Sequence, residues 1–377
     1  MKNRELAPLT TWLIEPLSPE VATSIDRLRG ADDVQQVAIM PDVHLTADVC
    51  IGAVVATNRL LYPQAVGGDI GCGMAVLAFD LEAEAIDDER SAARILAGLS
   101  RAVPCNKHRA RRALPASLSP SLLSDDRLVK VASRDGAVQI GTLGRGNHFL
   151  ELQANADGRL WAMVHSGSRA VGQAITAHHL AAGAPGPAGL VALDSTDDRG
   201  RTYLADVEWA RRYAAENRRG MLVATAELLG ERFQVAADWA TFFDGDHNHV
   251  VLEQGADGGR FIHRKGAQSA SAGERGVVPG SMGTASFHTE GRGCDTALRS
   301  CSHGAGRRLS RGEARSAIGA RAFERQMATV WFDRRNAGRL REEAPGAYKD
   351  IRRVMRSQRD LTKIVAETRP VLCYKGI

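Results

Sequence analysis

Several things are scarce in this chain of 377 residues, and each absence closes off a class of protein. Aromatic residues make up only 5%, too few for a platform on which the bases of a single strand stack in succession. No apolar run approaches the roughly 20 residues that a spanning helix needs. The opening MKNRELAPLTTWLIEPL lacks the apolar segment and cleavage site of a secretory signal, so a soluble, cytoplasmic protein with no membrane partner is expected. Six cysteines are scattered at Cys50, Cys72, Cys105, Cys294, Cys301 and Cys373 without a disulfide framework. A thiol with a special role is then a ligand or a nucleophile rather than half of a bridge. There is no CxxC…CxxC or HExxH motif, and no GxxxxGK[ST], which excludes a P-loop nucleotide site. No internal repeat is present.

What remains is ordinary globular composition, 44% hydrophobic and 25% charged, with a net charge of +5. That balance is compatible with a polyanionic partner. Two basic runs stand out, CNKHRARR (105–112) and GAGRRLSRGEAR (304–315). Short apolar runs bounded by Gly, Asp or Pro predict strands at 34–40, 52–57, 74–80, 138–143, 148–153 and 160–166. Helical spacing predicts helices over 84–103, about 205–230, 310–328 and 347–368. The 104–126 and 182–190 segments, rich in Pro or Gly, read as exposed connections. The fold expected is α+β, a single domain over 1–377 with a buried, sandwich-like sheet core flanked by helices.

Chemistry collects in glycine-rich loops. AVGGDIGCGM (65–74) places Asp69 and Cys72 among four glycines. Such a run makes a poor strand and a poor helix, but it lets backbone and short side chains approach a ligand closely. Alone it reads as a tight turn with an inert cysteine. Other loops change that: GTLGRGNHFLEL offers Asn147, His148 and Glu151; MVHSGSRAVG offers His165 and Arg169; DGDHNHVV offers His247; CSHGAGRRLSR places His303 before a Gly-Ala-Gly turn. Imidazole, thiolate and carboxylate together suit a transition-metal site. A thiolate can bridge two ions, and a pair about 3.5–4 Å apart suits phosphoryl transfer. Backbone N–H groups of GSMGT (280–284) and GAGR (304–307) suit phosphate oxygens, and Arg169, Arg307 and Arg311 can add charge-assisted contacts.

From about residue 36 to the end, ten motifs run in an order that resembles the RtcB family of RNA-splicing ligases. They are MPDVH (40–44), AVGGDIGCGM, GTLGRGNHFLE, HSGSR, HN, HRKGA, PGSMGTAS, SHGAGRRLSR, EAPGAYKDI (343–351) and the terminal YKG. The resemblance implies an RtcB-like fold and a GTP-dependent ligase with two Mn²⁺ ions. Its substrate would be RNA with a 3′-phosphate or 2′,3′-cyclic phosphate at one end and a 5′-hydroxyl at the other, in RNA repair or tRNA splicing. Carried onto this chain, it makes Cys72 the bridging thiolate. Asp69 and His148 complete one metal, and His165 and His247 the other. His303 becomes the nucleophile that takes GMP from GTP, with Cys72 and Arg169 beside it in the catalytic set. Asn147, Glu151, Ser281, Ala305, Gly306, Tyr348 and Lys375 hold the nucleotide: Glu151 and Lys375 at the guanine edge, Tyr348 stacked on the base, the others on phosphate and ribose. Arg169, Arg307 and Arg311 bind RNA phosphates. An activating or release-factor-like partner protein is left open.

The chain departs from the family pattern in places. Arg145 stands where a small residue is usual, Ala170 replaces a Gly, and Thr46 and Asp48 replace glycines after His44. Ile377 extends the terminus by one residue. Three other functions compete: capping of a 3′-phosphate with guanylate without sealing, metal-dependent hydrolysis of cyclic phosphates, and RNA binding without catalysis. The last is opposed by the complete metal and nucleophile set, since an RNA-binding protein needs only cations for phosphates.

Overall fold

Two antiparallel-rich sheets carry the site, and a computed structural model describes them through residues 5–255 and 258–376. The larger has seven strands, in the order Arg275–Val278, Ser286–Gly291, Thr362–Lys375, Phe149–Asn155, Arg159–Ser166, Gly73–Glu82, Ala237–Asp246. Every neighbouring pair in it is antiparallel. The smaller has five, in the order Leu9–Thr11, Val34–His44, Ile51–Thr57, Gly258–Lys265, Asn248–Gly255, with only the first pair parallel. These elements bear out the α+β expectation.

Why Gly73–Glu82 reads as one continuous apolar run follows from its two covered faces. Successive side chains point to opposite sides of a strand. Ala75, Leu77 and Phe79 pack with Met221, Leu222 and Leu229 of the helix Asp198–Phe233. Met74 and Val76 pack on the other side with Met163 and Val277. That long helix begins where the Asp197 side chain accepts the Gly200 N–H, and ends at Gln234 in the left-handed conformation, φ 58°. In the smaller sheet, Val37, Ile39 and Val55 pack on Val21, Ile25 and Leu28 of the helix Pro19–Arg29. Ala38, Met40 and Val54 face the short ribbon Ala267–Ser269/Ser300–Ser302.

The chain passes from the edge of one sheet to the edge of the other in a single residue, His247, between Ala237–Asp246 and Asn248–Gly255. The ends of Gly73–Glu82, Arg159–Ser166 and Ala237–Asp246 meet at this seam, where Gly73 lies opposite both Ser166 and Asp246. The candidate ligands are therefore strand-end residues, held by the ladder beneath them.

Most of the expected elements are present: strands Val34–His44, Ile51–Thr57, Gly73–Glu82, Phe149–Asn155 and Arg159–Ser166, and helices Glu89–Ala102 and Asp198–Phe233. Three expectations fail. The 138–143 segment is the end of a helix, Ala137–Gln139, and a turn, because Gly141 adopts φ 72°. The 310–328 helix is two short ones, Arg311–Ala317 and Ala320–Gln326, interrupted around Gly319. The 347–368 helix is only Ile351–Ser357; the β-branched TKIVAETRPVLCYK that follows is the strand Thr362–Lys375. Pro370 sits there at a register shift, where a ladder N–H is not needed. Among the described residues, no helix is long and apolar enough to cross a membrane.

Candidate active site and metal centre

The glycine-rich loop is dictated by what surrounds it. Gly71 has φ 71° and donates its N–H to the Asn248 carbonyl, 2.7 Å away. Any Cβ on Gly73 would come within 2.3 Å of the Gly245 carbonyl oxygen. Glycine at these two positions lets the loop turn and then enter the sheet flush against its neighbour. Cys72 is thereby fixed, its N–H donating to the Asp69 carbonyl and its carbonyl accepting from the His247 N–H.

Around Cys72 two triads form, Cys72–His165–His247 and Asp69–Cys72–His148, with the ligand atoms of each within 4.8 Å of one another. The Cys72 Sγ lies 3.2 Å from His165 Nε2 and 3.5 Å from His148 Nε2. His165 Nε2 is 3.3 Å from His247 Nε2, and His148 Nε2 is 2.9 Å from Asp69 Oδ2. His165 Nδ1 donates to the Asn147 carbonyl at 3.2 Å, so its Nε2 presents a lone pair to the thiol and to His247. A lone pair aimed at a second imidazole nitrogen and a sulfur suits a shared cation. The donor set, one thiol, three imidazoles and one carboxylate, fits borderline transition metals. In the bare protein, burial and then His148 and His303 hold His165 neutral, well below the usual histidine range, and burial with His303 does the same for His247. Burial and the Asp69 charge push the Cys72 thiol up. Burial also opposes ionisation of Asp69, but the His148 hydrogen bond and charge overcome it and bring the carboxyl down to about 2. A cation at the centre reverses the thiol's position, since ligation deprotonates it.

His303 follows the strand Ser300–Ser302 and stands at the edge of this cluster, its ring 4.7 Å from that of His247. Its Nδ1 is 2.6 Å from Oδ2 of Asp42, and the same oxygen accepts the His303 backbone N–H at 3.1 Å. The Asp42 side chain has no exposure at all. A carboxylate accepts only, so Nδ1 carries the proton and Nε2 keeps its lone pair. Beside it opens a cavity of about 420 Å³ whose walls include His165, Asn147, Glu151, Ser281, Ala305, Gly306, Tyr348 and Lys375.

The family model described as tRNA-splicing ligase RtcB matches residues 24–126 and 121–376. The chain belongs to the RtcB family. It is 34% identical to the RNA-splicing ligase RtcB of Escherichia coli (strain K12), over 91% of this chain and 90% of that one. It is 29% identical to the RNA-splicing ligase RtcB of Mycobacterium tuberculosis, over 89% and 96%. With the tRNA-splicing ligase RtcB of Pyrococcus furiosus it shares 32% identity over 67% of this chain and 31% of that one.

In this RtcB-family chain the residues singled out from sequence converge on one seam, but they are not all free. Arg169, at φ 58°, lies at the Asp69 end of the cluster and donates to the Cys105 carbonyl at 3.3 Å. Glu151 is buried, and burial raises its carboxyl to about 7 against the opposing Gln153 and Lys375. Lys375 sits 2.9 Å from Glu343, a residue not assigned from the sequence. Glu343 also accepts from Tyr348 Oη and from Arg307 Nη1, at 3.0 Å for the latter. It stays ionised because Lys375, Tyr348 and Arg307 outweigh its burial. Arg307, expected on RNA phosphate, is thus turned inward, with its guanidinium 5.1 Å over the Tyr348 ring. Arg311 reaches the same carboxylate at 3.3 Å but is about half exposed, 47%.

Sequence reasoning also misses the inner brace of this site. Asn217 and Arg218, adjacent on the long helix, are both buried. Asn217 donates to the Thr142 and Gly167 carbonyls and the Ser166 hydroxyl, and accepts the Thr142 N–H. Arg218 donates to the Gly71 and Ser166 carbonyls and pairs with Asp244. Two side chains therefore tie together the segments that flank Cys72, His165 and the loop before His148. Asp42 and Glu343 lie inside two of the ordered motifs, MPDVH and EAPGAYKDI; each is a carboxylate beside a catalytic-type side chain, and that is the signal that could find them.

Proposed function

We propose that this protein is an RNA ligase that joins a 3′-phosphate or 2′,3′-cyclic phosphate end to a 5′-hydroxyl end, with GTP as co-substrate and guanylylated His303 as carrier, in RNA repair or tRNA splicing. The observation that carries the reading is the placement of His303. Its free Nε2 lies where the cavity meets the Cys72 cluster, with its tautomer set by Asp42. His303 Nε2 attacks the α-phosphorus of GTP; a P–N bond forms and the bond to pyrophosphate breaks. Asp42 retains the Nδ1 proton and stabilises the cationic ring. A 2′,3′-cyclic end is first opened by water to the 3′-phosphate; an oxygen of the RNA 3′-phosphate then attacks the same phosphorus, the P–N bond breaks, and His303 returns to neutrality. Finally the 5′-hydroxyl attacks the activated 3′ phosphorus and GMP leaves.

Asp69, Cys72 and His148 on one side, and Cys72, His165 and His247 on the other, would hold two Mn²⁺ ions. When bound, these supply charge neutralisation and a water of lowered pKa. Glu151 and Lys375 would meet the guanine edge, with Glu151 accepting ring N–H groups. Tyr348 flanks the base, while Asn147, Ser281 and the 305–306 backbone face phosphate and ribose.

The test is a sealing assay with two short RNAs, one 3′-phosphorylated and one 5′-hydroxylated, with GTP and Mn²⁺. A joined product absent for His303→Ala supports the reading. A 3′ end that gains guanylate and is never joined would make the protein a capping enzyme. Opening of a cyclic phosphate without GTP would make it a phosphodiesterase.

A further inference from the structure

The two basic runs have different fates. In the 304–315 run, Arg307, Arg311 and Arg315 pair with Glu342 and Glu343, and only Arg308 has no acidic partner among the described residues. In the 105–112 run, Lys107, Arg109, Arg111 and Arg112 are all exposed. Among the described residues none of these four side chains is paired with an acid, whereas surface arginines such as Arg201, Arg335 and Arg352 each are. From Arg90 to Ser124 the sequence has no Asp or Glu. The run packs on 137–144 through the His108 N–H to Val138 and the Arg112 N–H to Ala137, and from Gly136 to Leu150 there is again no acid. Arg145, exposed and unpaired in the same way, directly follows Gly144, whose N–H donates to the Cys105 carbonyl.

This uncompensated positive surface is joined to one end of the metal cluster. The Cys105 carbonyl accepts the Gly144 N–H at 2.8 Å and an Arg169 N–H at 3.3 Å. His148 Nδ1 and Arg169 Nη1 both crowd Gly144, within 2.3 and 2.5 Å of where a Cβ would stand. The side chains run in order: His303, His247, His165, Cys72, His148, Asp69. His303 and His165 line the cavity, which reaches Asn147, and the basic loop joins the Asp69 end through Cys105 and Arg169.

From this order we propose that the 105–112 loop, with Arg145, docks the RNA strand that bears the 5′-hydroxyl. The inference rests on the ligase reading. In phosphoryl transfer the attacking and leaving oxygens are roughly in line across phosphorus. GMP leaves toward the cavity, so the attacking hydroxyl enters from the far end, past Arg169. The strand behind that hydroxyl must then leave over the Cys105–Arg112 surface. Four cations without acidic neighbours can engage successive phosphates of any sequence, which needs no aromatic platform.

The experiment compares wild type with a Lys107→Ser, Arg109→Ser, Arg111→Ser, Arg112→Ser variant; all four side chains are exposed, and circular dichroism checks the fold. Two fluorescent ten-nucleotide RNAs are titrated by anisotropy, one with hydroxyls at both ends and one with phosphates at both ends. The variant should bind the hydroxyl-ended RNA about tenfold or more weakly, and its slope of log K against log salt should be shallower by about 0.7 for each phosphate it no longer neutralises. Binding of the phosphate-ended RNA and labelling by α-³²P-GTP should be unchanged. Equal weakening for both RNAs, or weakening for neither, would overturn the assignment. The labelling arm tests the ligase reading separately: a wild type that is never labelled refutes the guanylyl chemistry, whatever the RNAs do.

Discussion

Asp42→Asn tests the contact proposed to make His303 a nucleophile. Asp42 is fully buried, and a single oxygen holds both the ring Nδ1–H and the backbone N–H of His303. The amide that replaces it offers one acceptor and one donor. If the NH₂ faces the ring, Nδ1 must accept, the proton moves to Nε2, and the attacking lone pair is lost. If the oxygen faces the ring, the negative charge that steadies the cationic ring is gone. Loss of the equivalent orienting carboxylate in a Ser-His-Asp triad slows turnover by about 10⁴, roughly 5.4 kcal/mol, and a loss of about 10³–10⁴ in the rate of guanylate transfer is expected here. Asp42→Glu should not rescue it. The carboxylate is fully buried and meets both the ring Nδ1–H and the backbone N–H of His303 with one oxygen, at 2.6 and 3.1 Å, so an added methylene displaces that oxygen from both contacts. The assay is single-turnover labelling with α-³²P-GTP, with thermal melting as a control for folding. A folded Asp42→Asn protein that labels within threefold of wild type would refute the reasoning.

Three further outcomes can be checked. Cys72→Ser removes the atom shared by both triads, so titration with Co²⁺, followed by calorimetry, should show two sites in wild type and at least about a 100-fold loss of affinity at both in the variant; retention of one tight site would show that Cys72 does not bridge. Burial, against weaker hydrogen bonds, lowers His263 from 6.5 to about 4, with its Nε2 accepting the Tyr62 N–H. A depressed histidine binds its proton in the unfolded chain first, so its stabilisation is full above pH 6.5 and drains away as pH falls toward 4. At pH 5 it should have lost about 2 kcal/mol, and urea unfolding at pH 7 and 5 should show a flatter pH dependence for His263→Asn than for wild type. Glu343→Gln leaves Lys375 and Arg307 facing a neutral group, and unpairing of such buried charges should destabilise the protein by about 3–5 kcal/mol, read as a lower melting temperature; an unchanged melting temperature would mean that the cluster is not a structural clamp.

What can be read from the sequence follows the range of the interactions. Gly73–Glu82 and Arg159–Ser166 are plain because their central stretches, 74–79 and 160–164, are apolar throughout. Ala237–Asp246 and the strands after it escape notice because their inward positions are broken by Asp, Gly and His residues kept for the seam. The C-terminal strand reads as helix because Ile351–Ser357, a true helix, runs into it without a Gly or Pro between. In the site, Asp69, Cys72 and the histidines announce themselves through glycine loops and ordered motifs. Asp42 also lies in an ordered motif, MPDVH, but its role stays hidden because its partner His303 is 261 residues away. Asn217 and Arg218 look like any polar pair on a charged helix, and only the packed fold turns them onto four loop carbonyls.

The most direct test of the proposed chemistry is incubation of wild type and His303→Ala with α-³²P-GTP and Mn²⁺, followed by a denaturing gel. Wild type should carry a label that survives alkali and is released by acid, as a phosphoramidate is, and His303→Ala should carry none. Equal labelling of the two proteins would place the guanylate on another residue. No labelling of a wild type shown to be free of bound GMP would contradict nucleotidyl transfer at this site.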